Sequence, residues 1–219
     1  NNAGDELSIT ADGAFSFATK LLDGTAYAII VLTQPSAPHQ ICSIANGSGT
    51  ISGAAVSNIA ITCATESYQI KGTVSGLLSS VVLQNNSSDD LTISADGGFS
   101  FVTSIADTAA YAVTVLTHPV FPRQTCSVAN GTGTVNGAEI TNIAITCSTE
   151  TYTVGGSISG LAGTVILRNN GGDNLSVSAN GSFTFATALQ DAQAYAVTIF
   201  TQPSSPAQLC TVTNGSGNL

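Results

Sequence analysis

Cys42, Cys126 and Cys210 stand 84 residues apart, and each opens the same stretch of sequence. Cys42 to Cys63 reads CSIANGSGTISGAAVSNIAITC, and Cys126 to Cys147 reads CSVANGTGTVNGAEITNIAITC. From Cys210 the stretch begins again as CTVTNGSGNL. Internal periodicity constrains a fold more than length does, and a solenoid rung takes about 20 to 50 residues. A period of 84 residues is too long for a rung and long enough for a small domain with its own core. The expected organisation is beads on a string. Residues 1–63 form a first repeat, 68–147 a complete second, and 152–219 a third.

The cysteines fix covalent expectations. Within each repeat the second cysteine follows the first by 21 residues, which predicts disulfides Cys42–Cys63 and Cys126–Cys147. Cys210 is unpaired in this window, because its partner would fall beyond Leu219. Closing a loop of this size is worth about 3 kcal/mol in the chain-entropy model. The competing reading, zinc, wants clustered ligands. These cysteines stand alone and the two histidines, His39 and His118, do not recur, so no metal site is expected. Regular disulfides imply an oxidising compartment: periplasm, cell surface or outside.

Strand signals fill the middle repeat. Tyr68 to Gly76 alternates large and small residues, and Ser80 to Gln84 follows as a second strand. Leu91 to Ser94 is a short third, and Asp96-Gly97 signals a hairpin into Phe99 and Phe101 on one face. Ala109 to Thr117 is a fifth strand, Gln124 to Val128 a sixth and Ile140 to Cys147 a seventh. Thr103 to Ala110 carries a brief turn, and Asn130 to Gly137 reads as a turn-rich connection. Seven short strands with turn chemistry between them predict an all-β class of tandem seven-stranded Ig-like β-sandwich repeats.

Asn1 aligns with Asn85 and Asn169, so the first repeat is expected to lack strands one and two and the third to lack strand seven. Those strands come either from a longer array or from a neighbouring subunit by strand donation. The unpaired Cys210 favours the longer array, and the absence of a starting Met fits either a processed protein or a window from a longer one. The linkers, Ala64 to Ser67 and Ser148 to Thr151, are four residues long without Gly or Pro, which predicts a stiff rod.

Only 8% of the residues are charged and the net charge is −9, which makes nucleic acid and anionic membranes poor partners. The four basic residues are Lys20, Lys71, Arg123 and Arg168. No apolar run is long enough to span a membrane.

From Tyr152 the residues read YTVGGSISGLAGTVILRNN and then SANGSFTFATALQDAQAYAVTI. This resembles the bacterial immunoglobulin-like and prealbumin-like repeats of surface proteins, and is similar to carboxypeptidase regulatory-like and collagen-adhesin B-type domains. The shared elements are Gly156 to Gly160, Val165 to Leu167, Gly181 to Phe185, and Tyr195 to Val197. The resemblance implies stalks, adhesins and extracellular fibres. It departs at the lysines. Many collagen-adhesin B-type domains carry a Lys–Asn isopeptide bond, but Lys20 aligns with Ser104 and Ala188, and Lys71 with Gly155. No isopeptide bond is expected, and the disulfide takes the role of covalent lock.

Other candidates have plainer explanations. Asp5-Glu6, Asp89-Asp90 and Asp173-Asn174 recur in one loop, but lack the spacing of a Ca²⁺ loop. Asn46, Asn130, Asn180 and Asn214 sit in N-G-S/T glycosylation patterns that also suit a tight turn. Phe99, Phe101 and Tyr111 are expected in the core rather than on a sugar-stacking platform, whereas Phe121 and Phe200 do not recur and suit surface or contact positions. No recurrent Ser-His-Asp set, phosphate loop or dinucleotide fingerprint is present, so no catalytic residues, cofactor or enzymatic activity are expected. The expected function is an extracellular structural repeat protein, the shaft of a bacterial surface fibre, filament or long adhesin. Its expected partners are other copies of itself, end to end or by strand complementation. The alternative is a binding module presenting repeat loops to a glycan or host protein.

Overall fold

The computed structural model describes residues 1–2 and 4–219. These are all β-strand, turn and loop, without helix. Among the described residues no helix is long and apolar enough to cross a membrane. They divide into two compact units: Asn1–Ile70 with Val102–Tyr111 and Gly133–Ile140, and Lys71–Phe101 with Ala112–Thr132 and Thr141–Leu219.

Two four-stranded sheets account for the complete strand pattern read above, as a β-sandwich requires. One runs in the order Gln124–Ala129, Ile140–Thr149, Ile70–Ser75, Gly97–Ser100. The other runs Thr132–Thr134, Ala110–Thr117, Val81–Asn85, Asp89–Ile93. Period-2 alternation decides which face is covered. In Ile70–Ser75 the buried residues are Ile70, Gly72 and Val74, and in Val81–Asn85 they are Val81, Leu83 and Asn85. Phe99 and Phe101 pack edge to face, 5.9 Å between ring centroids, with Phe101 almost wholly buried. The strands Asp173–Val177, Val165–Asn169, Ala194–Thr201 and Ser216–Asn218 form a third four-stranded sheet. Val165, Leu167, Phe185 and Val197 build its core.

The segment read from sequence as a turn-rich connection contains a further strand, Thr132–Thr134. It has no apolar alternation to announce it. Its place in the sheet depends on Gly133, where an added Cβ would come within 2.7 Å of the Tyr111 hydroxyl and 2.9 Å of its ring. The bare backbone lets the Tyr111 ring lie across the strand. The same pairing of glycine and tyrosine occurs at Gly49 with Tyr27 and at Gly217 with Tyr195. The turn expected within Thr103 to Ala110 is present, but Ile105–Ala106 ahead of it is a short strand paired with Ser67–Tyr68.

Both disulfides join neighbouring antiparallel strands of one sheet. Cys42 lies directly opposite Cys63, and Cys126 opposite Cys147, with Cα–Cα distances of 3.9 and 4.0 Å. Cys126 and Cys147 are buried, whereas Cys63 is exposed and Cys42 partly so. Cys210 is a free thiol of intermediate exposure.

The earliest part of the chain is open. No described residue before Ile70 is buried. Its strands pair only in twos, Ala26–Ala28 with Ser48–Thr50 and Gln40–Ala45 with Ala60–Thr65. Phe15, Phe17, Tyr27 and Ile29 line a groove of about 920 Å³. Their equivalents 84 residues on, Phe99, Phe101, Tyr111 and Val113, are buried core.

Candidate functional site

The most organised polar cluster is the junction around Glu66. The strand Ala60–Thr65 ends one residue before it and Ser67–Tyr68 begins one residue after it, so a single residue separates two paired strands. That residue is tied on both sides. The Glu66 N–H donates to the His39 carbonyl at 3.0 Å, and the Glu66 carbonyl accepts from the Asp107 N–H at 2.8 Å. Asp107 returns the contact with its side chain. Its Oδ2 accepts from the His39 backbone N–H at 2.6 Å and meets His39 Nδ1 at 3.0 Å, and its Oδ1 accepts from the Gly137 N–H at 2.7 Å.

Local sequence explains the posture of Asp107. The next residue, Thr108, has a left-handed backbone with φ of 65°. That turn is closed by Thr108 N–H to the Val135 carbonyl and Ala109 N–H to the Ala106 carbonyl, both at 3.0 Å. His39 lies at the end of a loop with a bridge between Ser36 and His39, closed by the Gln40 N–H on the Pro35 carbonyl at 3.2 Å. The Asp107 carboxyl is buried, but the bonds it receives outweigh burial. The His39 backbone N–H, then the Gly137 N–H and then the His39 ring, hold it down at about 2. Tyr68 donates to Glu66 Oε2 at 3.0 Å, and burial followed by that carboxylate pushes the phenol up.

The same junction is built again around Glu150. The Glu150 N–H donates to the Arg123 carbonyl and the Asp191 N–H to the Glu150 carbonyl, each at 2.9 Å. The Arg123 backbone N–H donates to Asp191 Oδ2 at 2.6 Å. Ala192 takes the left-handed position with φ of 66°, and Tyr152 donates to Glu150 Oε2 at 2.6 Å. The Tyr152 hydroxyl, then the Thr125 hydroxyl, lower the Glu150 carboxyl, and Glu150 in turn raises Tyr152. The residues of the first junction all lie inside one compact unit and those of the second inside the other.

The residues singled out from sequence fall elsewhere. Asp5 Oδ2 accepts from the Thr19 N–H and Asp173 Oδ2 from the Thr187 N–H, each at 3.1 Å, while Asp90 accepts from Gln84 at 2.7 Å. The first two carboxylates each tie to a backbone 14 residues on, and the third bonds its partner across a strand pair. Among the described residues no three His, Cys, Asp or Glu side chains gather as metal ligands would. Asn46, Asn130 and Asn214 have φ between 54° and 57°, the turn conformation. The Asn46 and Asn130 amide nitrogens donate to the Asn58 and Asn142 carbonyls, and the Asn180 amide brackets Leu161. Phe121 is exposed, and Phe200 lies under the Arg168 guanidinium at 3.3 Å. His118 Nδ1 accepts from the Cys126 N–H at 3.0 Å, the place that Gln34 and Gln202 take opposite Cys42 and Cys210.

The clamping aspartates are not among the residues singled out from the sequence, where adjacent acids stand out and isolated ones do not. Their signal was present: Asp23, Asp107 and Asp191 recur at the 84-residue period, as do Glu66 with Glu150 and Tyr68 with Tyr152. No protein-family model and no curated protein matches the sequence.

Proposed function

We propose that this chain is a segment of an extracellular structural protein, the shaft of a bacterial surface fibre, filament or long adhesin. In this reading the 84-residue repeats are tandem β-sandwich domains set end to end, and their task is to hold shape and resist unfolding and proteolysis. The observation that carries the reading is the duplicated junction: the same main-chain and carboxylate bonds fasten the linker at Glu66 and at Glu150. A linker fastened in this way leaves little room for neighbouring beads to turn. Two disulfides suit an oxidising compartment and add covalent resistance within the first two beads. Electron microscopy of the native material tests the reading: continuous fibres of uniform width are expected, and well-separated monomers would sink it.

A further inference from the structure

Several asparagines of this chain are followed directly by glycine. In such a pair the glycine nitrogen can attack the amide carbon of the asparagine side chain, because the glycine has no Cβ to obstruct the approach. Most of these side chains are held away from that reaction. The Asn46 amide nitrogen donates to the Asn58 carbonyl at 2.8 Å, and that of Asn130 to the Asn142 carbonyl at 3.0 Å. Asn170 donates to the Ala194 carbonyl at 2.9 Å. Asn180 is bonded through both its oxygen and its nitrogen to the Leu161 main chain. Asn136, which precedes Gly137, is exposed, and among the described residues no hydrogen bond holds its side chain.

The glycine of this pair belongs to the junction at Glu66. Its N–H donates to Asp107 Oδ1 at 2.7 Å. Its φ is 67°, and a Cβ placed on it would run into the His39 ring. The ring therefore lies directly against the Gly137 main chain, and nothing can be added there without moving it. The pair is particular to this place. Gly53 donates to Asp23 in the same way, but it follows Ser52, which has no amide to lose.

We propose that Asn136 and Gly137 form a self-modification site whose reaction releases the Glu66 junction. The Gly137 nitrogen bonds to Asn136 Cγ and gives its proton to solvent, the Cγ–Nδ2 bond breaks, and the nitrogen leaves as ammonia. Water then opens the five-membered imide to aspartate or to isoaspartate, with no other co-reactant. While the imide stands, the Gly137 nitrogen carries no hydrogen, so Asp107 Oδ1 loses its donor. Isoaspartate adds a methylene to the main chain where the His39 ring leaves no space. Aspartate restores the N–H but sets a second carboxylate beside Asp107. Ammonia does not return, so a junction altered in this way stays altered. The inference concerns the chemistry of one joint and holds whether or not the chain builds a fibre.

The test is incubation of the full chain in mildly alkaline buffer, followed by digestion and mass mapping that separates aspartate from isoaspartate. Asn136 is expected to convert about fivefold faster than Asn46, Asn130 and Asn170, the factor that one net hydrogen bond supplies. In the isoaspartate fraction the protection of the His39 amide against hydrogen exchange, relative to its intrinsic rate, is expected to fall. Asn136→Gln, an exposed change whose longer side chain is slow to cyclise, is expected to keep that protection through the same incubation. Conversion of Asn136 no faster than that of the held asparagines overturns the site. Full His39 protection in the isoaspartate fraction, or equal loss of it in Asn136→Gln, overturns the link to the junction.

Discussion

His39 and Asp107 meet twice through one carboxylate oxygen, the backbone N–H at 2.6 Å and Nδ1 at 3.0 Å from Asp107 Oδ2. The main-chain bond is the shorter of the two, and only the main-chain bond is repeated between Arg123 and Asp191.

The Asp107 carboxyl is held at about 2, below the ordinary aspartate range near 3.9. A carboxyl depressed in the folded state stabilises it fully above its unfolded value and loses that contribution as pH falls through its folded value. The junction at Glu66 is therefore expected to loosen between roughly pH 4 and pH 2. The protection of the His39 and Gly137 amides against hydrogen exchange, taken relative to the intrinsic rate at each pH, should fall across that window, and Asp107→Asn should remove this pH dependence.

Reduction should discriminate between the two disulfides. Cys63 is exposed, whereas Cys126 and Cys147 are each only 6% exposed. Mild reductant followed by alkylation and mass mapping is expected to label Cys42 and Cys63 well before Cys126 and Cys147. Replacing both Cys126 and Cys147 by Ala should cost about 3 kcal/mol in a denaturant titration.

Gln124 offers a contrast in buried polarity. It is 2% exposed, accepts from the Leu78 N–H at 2.8 Å and donates to the Gly76 carbonyl at 2.7 Å. Gln124→Ala strands both backbone groups and should destabilise by about 2 to 4 kcal/mol. At the equivalent position, the Gln40 side chain donates, among the described residues, only to Thr65 Oγ1, and Gln40→Ala should stay within about 0.5 kcal/mol.

Glycine to alanine scanning should separate Gly133 from Gly98. At Gly133 the new methyl meets the Tyr111 ring, and the expected cost is about 1 to 3 kcal/mol. At Gly98 the nearest atom lies 3.8 Å away, so thermal unfolding should barely move.

Much of the fold was legible because period-2 apolar patterning and turn residues reported it directly. Val81 and Leu83, or Phe99 and Phe101, sit on one face wherever the strand falls in the sheet. Thr132–Thr134 was not legible, since its strand character depends on a tyrosine that packs over Gly133. The two cysteine pairings followed from spacing alone, while their unequal exposure depends on tertiary surroundings that spacing does not describe. The junction was hidden for a chemical reason. Apart from its recurrence at the 84-residue period, a single aspartate before a turn carries no mark of its role, and what it binds at Asp107 and Asp191 is backbone N–H, which every non-proline residue possesses.

That reliance on main chain has a genetic corollary. The position that faces the clamping aspartate is His39 in one copy and Arg123 in the next, yet the 2.6 Å bond is unchanged. Mutation can rewrite the loop side chain without disturbing the bond that fastens the junction. What the joint asks of the sequence is an acceptor at Asp107 and Asp191 and a backbone N–H opposite it, so the residue that faces the aspartate is free to vary in side chain.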